Sequence, residues 1–412
     1  MSSLRSSLAS VVLVLASGCA CGAQVHVPRD AAVADTGALD ASLDDAAVED
    51  AASTPDATVP ADAAIPAAPT RLIATFRASC LLDDATQCWG ASPTGVSFGD
   101  TPQPAPDLDG ALDVKIGLSF LCALRADGRV ECAGSNHAGQ LGVSPDAAPS
   151  RAALEPVPGL DDVVELALDG AHACALRSDG TVWCWGDNSL GAVGRAIRPH
   201  GLGASVPEPV PMPVAGLGPA IGVAAGVHHS CAALADGTIA CWGHDSYGQL
   251  GRGAVGAATS EPVAALGLDD AIAIDARGNS TCALRADGTA WCWGRHSEGQ
   301  LGIAAEDVES CTNIVPHPCA TAPRRVVGVE GARALAFGGV VGCALTASGG
   351  RCWGTIAGEL EPDVVEVAAG WEHVCARSSD DRVRCRGRGD EGQLGDGTAT
   401  DRDDWVDAAL SE

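Results

Sequence analysis

Beyond residue 70 the chain is a succession of short apolar runs separated by polar, glycine-rich turns, and one such run recurs along it. Its clearest copies read Cys174-Ala-Leu-Arg-Ser-Asp-Gly-Thr-Val-Trp-Cys184-Trp-Gly, Cys231-Ala-Ala-Leu-Ala-Asp-Gly-Thr-Ile-Ala-Cys241-Trp-Gly and Cys282-Ala-Leu-Arg-Ala-Asp-Gly-Thr-Ala-Trp-Cys292-Trp-Gly. Apolar and β-branched residues on both sides of an Asp-Gly predict a β-hairpin. A three-residue loop with glycine last suits a type I turn that closes on a left-handed residue. With Ser178-Asp179-Gly180 as that loop, Arg177 faces Thr181, and counting inward sets Cys174 opposite Cys184. Residues opposed in a non-hydrogen-bonded pair have Cα atoms about 4.5 Å apart, within disulfide reach.

The same count pairs Cys231 with Cys241, Cys282 with Cys292, Cys122 with Cys132, Cys343 with Cys352, Cys375 with Cys385 and, in a degenerate first copy, Cys80 with Cys88. Seven hairpins result. Most are followed by Gly-Gln-Leu-Gly, at Gly139, Gly248, Gly299 and Gly392, with Gly191-Ala-Val-Gly as a variant. Successive first cysteines lie 42, 52, 57, 51, 61 and 32 residues apart, and a period near 50 predicts the blades of a β-propeller. The sixth unit lacks Gly-Gln-Leu-Gly and predicts a shortened blade. Closing a loop of about ten residues is worth roughly 2 to 3 kcal/mol in the chain-entropy model, so one staple per blade compensates for a core poor in aromatics. Aromatics are 3% of the chain, and the tryptophans of Cys-Trp-Gly (Trp89, Trp185, Trp242, Trp293, Trp353) are expected to fill the space between blades.

The first 69 residues read differently. Arg5 precedes the apolar run Leu8 to Leu15, and Ala16-Ser17-Gly18 lead into Cys19. That run is too short to span a membrane, which takes about 20 apolar residues, and has the form of an export signal. The order of small residues ending in Gly-Cys resembles the bacterial lipobox, which implies cleavage before Cys19 and a diacylglycerol on its thiol. An ordinary secretory cleavage near Cys21-Gly22-Ala23 is the alternative, and Cys21 has no assigned role. Residues 1–18 are thus read as signal, 19–69 as an acidic Ala/Asp/Pro tether and 70–412 as the propeller. The stretch from Arg29 to Asp62 holds nine acids and one base, with no aromatic residue. Such a composition cannot bury enough surface to offset chain entropy, and Pro55, Pro60, Pro66 and Pro69 break any helix.

Charge and cysteine content narrow the function. A net charge of −28 repels a phosphate backbone, which excludes nucleic acid as a partner. Eighteen cysteines behind an export signal predict disulfides formed in an oxidising compartment. Lys115 is the only lysine among 25 basic residues, as expected of a GC-rich genome.

Catalytic chemistry is poorly represented. His172, His229 and His373 each lie two residues before a blade cysteine, so the repeat explains them as hydrogen-bonding residues a blade or more apart. Arg177 to Trp183 is similar to a sialidase Asp-box, but Asp and Gly are adjacent, and the only tyrosine, Tyr247, stands at a variable position. Hydrolase, metalloprotease and phosphate-loop motifs are missing. Asp390, Glu391, Asp396, Asp401, Asp403 and Asp404 are rich in oxygen ligands but lack an ordered calcium-site spacing, and read as a solvated loop. No catalytic residue, metal or cofactor is expected.

A strand ending in Ala-Ala-Gly-x-x-His-x-Cys, as in Val223 to Cys231, followed by Asp-Gly, Trp-Gly and Gly-Gln-Leu-Gly, resembles the repeat of the regulator of chromosome condensation family. The resemblance runs from about residue 71 to the C-terminus. It implies a seven-bladed, all-β propeller of four-stranded blades, closed by pairing the N- and C-terminal strands; Asp404 to Leu410 is the expected closing strand beside the Cys80 hairpin. The paired cysteines depart from the eukaryotic pattern. Nucleotide exchange on a small GTPase, the founding member's activity, is not carried over: the chain is acidic, has an export signal, and offers no residue that matches the exchange wedge.

Binding is expected where the repeat breaks. The insertion from Ile303 to Pro323 carries its own pair, Cys311 and Cys319, around Asn313, Ile314 and His317, and a stapled loop lowers the entropy cost of recognition. The stretch from Arg195 to Pro213 is a second long loop. The leading expectation is a monomeric, non-enzymatic scaffold that binds a protein or glycan through propeller loops, lipid-anchored in the bacterial cell envelope on the periplasmic or cell-surface face of the outer membrane. A secreted inhibitor of an enzyme is the second reading, since related propellers block β-lactamases through one loop face, and a propeller hydrolase or lyase is the third.

Overall fold

A computed structural model of the chain describes residues 71–91, 97–198, 206–312 and 316–410. Cys19, the signal, the tether, Asn313 and Ile314 lie outside them. Described residues form seven antiparallel sheets, each built from one continuous stretch of chain whose first strand is innermost. Blade 1 comprises Arg71–Ala74, Ala78–Leu82, Gln87–Ala91 and Ser97–Pro104; blade 7 comprises Val364–Ala369, His373–Ser378, Val383–Gly387 and Arg402–Asp407. Blade 6 is the short one, its outer strand reduced to Gly358–Leu360.

The hairpin register is the one counted from the sequence. Cys174 faces Cys184, as do the equivalent pairs, and the seven cross-strand disulfides have Cα separations of 4.0 to 4.2 Å. All fourteen cysteines are buried. Such staples form in an oxidising compartment. The eighth, Cys311–Cys319, is diagonal: Cys311 faces His317, and the Cα separation is 5.8 Å.

Two expectations about strands are corrected. The ring does not close by pairing the chain ends within one sheet, because blade 1 already owns four strands and Arg402–Asp407 pairs with Val383–Gly387 of its own blade. Blades 7 and 1 meet instead by packing and by side-chain bonds. The stretches read as loops also supply strands, Pro207–Pro213 as the outer strand of blade 3 and Glu309–Thr312 with Pro316–Arg325 as a hairpin that widens blade 5 to five strands.

Adjacent blades are locked by a device split between them. The indole Nε1 of Trp185 donates to the carbonyl of Gln140 in the preceding blade, Trp293 to Gln249, Trp353 to Gln300 and Trp242 to Ala192, all at 2.8 to 2.9 Å. Trp89 does the same to Gln393, at 2.9 Å, and so joins the last blade to the first. The Gly-Gln-Leu-Gly loop of one blade and the tryptophan of the next are therefore one unit. Ala133 in blade 2 and Arg386 in blade 7 replace the tryptophan, and each follows a blade without that loop.

Three seams add a histidine. His172, His229 and His373 bond through Nε2 to Ser230, Thr281 and Ser79 of the next blade at 2.8 to 2.9 Å. Each of those hydroxyls also donates to the carbonyl that takes the indole (Ala192, Gln249, Gln393) or contacts it. A hydroxyl that donates to a carbonyl must accept from the imidazole, so Nε2 carries the proton. Nδ1 of His229 and His373 then packs on Gly226 and Gly370, where a Cβ would lie 2.2 Å from the ring; this is the physical reason for glycine three residues before the histidine. Burial pushes His172 down to about 4, and burial with an unpartnered Nδ1 pushes His229 and His373 to about 3.

Inner strands of all seven blades surround a channel of about 390 Å³ lined by Arg71, Lys115, Glu165, Asp275, Arg277 and Glu366 among small apolar residues. Lys115 and Arg71 both reach Asp113, at 3.4 and 3.3 Å. Burial pushes Glu165 up to about 7 against the opposing charge of Lys115. One mouth is stitched shut: Arg277 donates to the carbonyls of Ile116 and Leu168, Asp169 accepts from the Gly278 amide at 2.8 Å, and Trp371 lies over Gly278 and Gly339.

Candidate functional site

Tight Asp-Gly hairpins occupy one face of the ring, so the longer connections between third and outer strands all emerge on the other. That opposite face carries an open cleft of about 880 Å³ spanning blades 4 to 7, with Arg295, Glu298, Trp371, Arg386, Arg388 and Asp403 in its walls. Trp371 anchors its floor, tilted against Phe76 with centroids 5.0 Å apart.

The stapled hairpin of blade 5 stands outside the cleft, beyond Arg295 of its wall. His317 stacks on Tyr247 of blade 4 at 4.8 Å, and the Arg295 guanidinium lies 5.9 Å over the tyrosine ring. His244 meets the tyrosine edge at 6.1 Å and accepts from Gln249 Nε2 at 3.0 Å. Burial pushes His244 down to about 4 and also lowers His228 and His296, so these three rings offer π faces and hydrogen bonds beside the charge of Arg295. Aromatic rings with polar tips bury much area for little conformational entropy, which suits macromolecular recognition.

One group of charges in the cleft, around Arg388, is paired internally. Arg388 bonds Glu372 at 2.5 Å and Asp390 at 2.6 Å, and these bonds hold Asp390 below the usual carboxylate range. Arg386 stands where other blades have tryptophan, donates to the Ile356 carbonyl at 3.1 Å and lies 4.8 Å over Trp405; burial lowers its pKa. Carboxylates ionised and paired in this way are poor general acids, and the arrangement organises binding better than proton transfer.

The acidic C-terminal loop is also dispersed. Asp396 pairs with Arg402 at 2.8 Å, Glu391 with Arg77 at 2.8 Å, and Asp401 accepts from the Gly389 amide at 2.9 Å. Among the described residues no group of three or more His, Cys, Asp or Glu is placed to hold a metal ion. Of the three residues expected in the binding loop, His317 stands outside the cleft lining and stacks on Tyr247, which lies under Arg295 of the cleft wall. Tyr247 was missed: it lies 70 residues upstream of His317, and only the meeting of blades 4 and 5 brings the rings together.

Comparison with known proteins agrees with this architecture. The pattern that defines the regulator of chromosome condensation (RCC1) repeat matches residues 179–233, and a second pattern of the same description matches 220–249, 272–300 and 364–393. The mitochondrial RCC1 domain-containing protein RUG3 of Arabidopsis thaliana is 29% identical over 171 residues, 40% of this chain and 37% of that protein. The human E3 ubiquitin-protein ligase HERC2 is 28% identical over 75% of this chain, which spans 7% of the ligase. Human WBSCR16 superposes with a TM-score of 0.58 at 19% identity, covering 83% of this chain and 82% of that one. Yeast RCC1 (Prp20), solved bound to Kap60, gives 0.55 at 19% identity, covering 82% and 74%. Repeat matches in blades 3 to 5 and 7 of a seven-bladed ring show that the chain is built from the repeat of the regulator of chromosome condensation family.

Proposed function

We propose that the protein is an exported, non-enzymatic scaffold that binds another protein through the open cleft on blades 4 to 7. The observation that supports this reading is the cleft itself: an 880 Å³ depression floored by Trp371, with the Tyr247–His317 stack and a disulfide-ordered hairpin beyond Arg295 of its wall. A pre-ordered aromatic wall lowers the entropy lost on association. Relatives with protein partners are in keeping with it, since yeast RCC1 was solved bound to Kap60 and Prp20p is described by its binding to Gsp1p and histones. An anchored location at the cell envelope rests on Arg5, the apolar run and Gly18-Cys19. Glycan recognition is a second reading, favoured by the stacked rings of Tyr247 and His317, which can face a sugar ring.

A photo-crosslinking residue placed at Trp371 or Arg295 in the native host tests it, with Glu155 on the outer strand of blade 2 as control. The scaffold reading expects one dominant protein adduct from the cleft positions, absent from the control and lost when residues 309–319 are replaced by a short turn. Equal labelling from cleft and control, or an adduct that survives the replacement, contradicts it.

A further inference from the structure

The other face of the ring carries a second feature. In six blades the inner strand begins with a β-bulge at its second residue: Ala220 pairs with Leu234 and Gly222 with Ala233, so Ile221 is left out of the ladder. The same skip leaves out Leu112, Val164, Ile272, Arg333 and Val365. A bulge re-aims the side chain it carries. Here five of the six are large and apolar and all five are exposed, Val164 by 55%, Ile272 by 50% and Ile221 by 48%. They stand around the open mouth of the channel, whose wall at this level includes Arg71 and Val365.

Around this crown runs a rim of aspartates. Each hairpin is tied to the start of the next inner strand, through Val163 N to Gly128 O, Ala220 N to Gly180 O, Ala271 N to Gly237 O and Ala332 N to Gly288 O, so the hairpin tips and the bulges share one face. Asp179, Asp236 and Asp287 bond the amide and hydroxyl of Thr181, Thr238 and Thr289 in their own turns, at 2.6 to 3.0 Å. Those bonds hold all three below the usual carboxylate range, and none of the three makes a salt bridge among the described residues. The rim arginines Arg177 and Arg285 are engaged by Asp161 and Asp270. Exposed apolar patches rimmed by charge mark interaction sites.

We propose that this face is a second docking surface, and that its occupant is a protein segment with large apolar side chains flanked on both sides by Lys or Arg. The apolar tip sits on the crown and enters the channel mouth, while the flanking cations meet the hairpin aspartates. Charge selects this occupant. A second copy of the chain, or its own acidic segment before residue 70, would bring more negative charge to an already negative rim. The surface is distinct from the cleft, so failure of either reading leaves the other standing.

The test uses the full mature chain and a dye-labelled synthetic peptide with a Leu-Phe-Leu centre between Lys/Arg flanks, read by fluorescence anisotropy. Control peptides carry a Ser centre or Glu flanks. The proposal expects binding of the first peptide only, weakened about tenfold by Ile221→Ser with Ile272→Ser, and weakened further as salt shortens the reach of the rim charges. Asp179→Asn with Asp236→Asn keeps the turn bonds and lowers affinity by a similar factor. Unchanged unfolding midpoints keep these losses assignable to the surface. Four outcomes overturn it: no binding, binding indifferent to the crown substitutions, a dimer abolished by those substitutions, or binding that appears only when residues before 70 are removed.

Discussion

Replacing Trp89 by alanine tests how the ring is closed. Among the described residues no strand of one chain end enters the other end's sheet, so the seam between blades 7 and 1 is held by packing and cross-blade bonds. The polar ones include Trp89 Nε1 to the Gln393 carbonyl, Ser79 with His373, the Leu72 amide to Glu366 at 2.9 Å and the Arg77–Glu391 pair. Trp89 is fully buried, and deleting a buried tryptophan side chain costs about 3 to 5 kcal/mol in lost burial and cavity. The Gln393 carbonyl keeps the Ser79 hydroxyl at 3.2 Å, so no orphan-acceptor penalty is added. At about 1.4 kcal/mol per decade, this seam should open roughly two to three and a half orders of magnitude more often. Native-state hydrogen exchange reads such local openings. The amides to follow are Leu72 and Trp371, which bond across the seam to Glu366 and to the Thr75 carbonyl. Trp242→Ala, at a seam the chain itself crosses, is the control; it should loosen blades 3 and 4 and leave Leu72 protected. Unchanged protection at Leu72 and Trp371 in Trp89→Ala, or equal loosening of every blade, would refute closure by packing.

Among the ten histidines, His172, His229 and His373 should keep neutral-form NMR shifts down to pH 5, since they sit at about 4, 3 and 3. Their folded pKa values are below the unfolded value, so each leaves stability untouched above pH 6.5 and subtracts about 1.4 kcal/mol per pH unit as pH falls below it. Glu165, raised to about 7, works in the opposite direction between pH 7 and 4.5, and Glu165→Gln should steepen the acid loss seen in denaturant titrations. Arg386→Trp should destabilise by about 1 to 3 kcal/mol although it restores the repeat residue, because blade 6 has no loop to receive an indole and the bonds to Ile356 and Ala357 are lost; a raised midpoint in urea would contradict the split-lock account.

Much of this architecture is local and was therefore legible. The Asp-Gly hairpin fixes register within ten residues, so Cys174 opposite Cys184 could be counted, and periodicity explained the three histidines before their hydroxyl partners were known. Features that join distant segments were not. Closure could not be read because Arg402–Asp407 fits an outer strand of either end blade until the four strands of blade 1 are seen. The coupling of tryptophan to the preceding loop left a trace, since Ala133 and Arg386 follow the two blades without that loop, but its meaning needed the Trp185 to Gln140 bond. Tyr247 looked like a variable turn residue because its partners, Arg295 and His317, come from the next blade. Bulges at Ile221 and Ile272 have no local signature: an apolar residue beside an inner strand reads as core until the ladder skips it.

Mass spectrometry of the mature protein from membranes of its native host, before and after reduction, addresses most directly the claim that this is an exported, disulfide-stapled scaffold. The account predicts an N-terminal Cys19 carrying acyl chains and a set of cross-links that maps to the eight pairs from Cys80–Cys88 to Cys375–Cys385. An unmodified N-terminus further along the chain would contradict the anchor, and cysteines found largely as free thiols would contradict the stapled propeller.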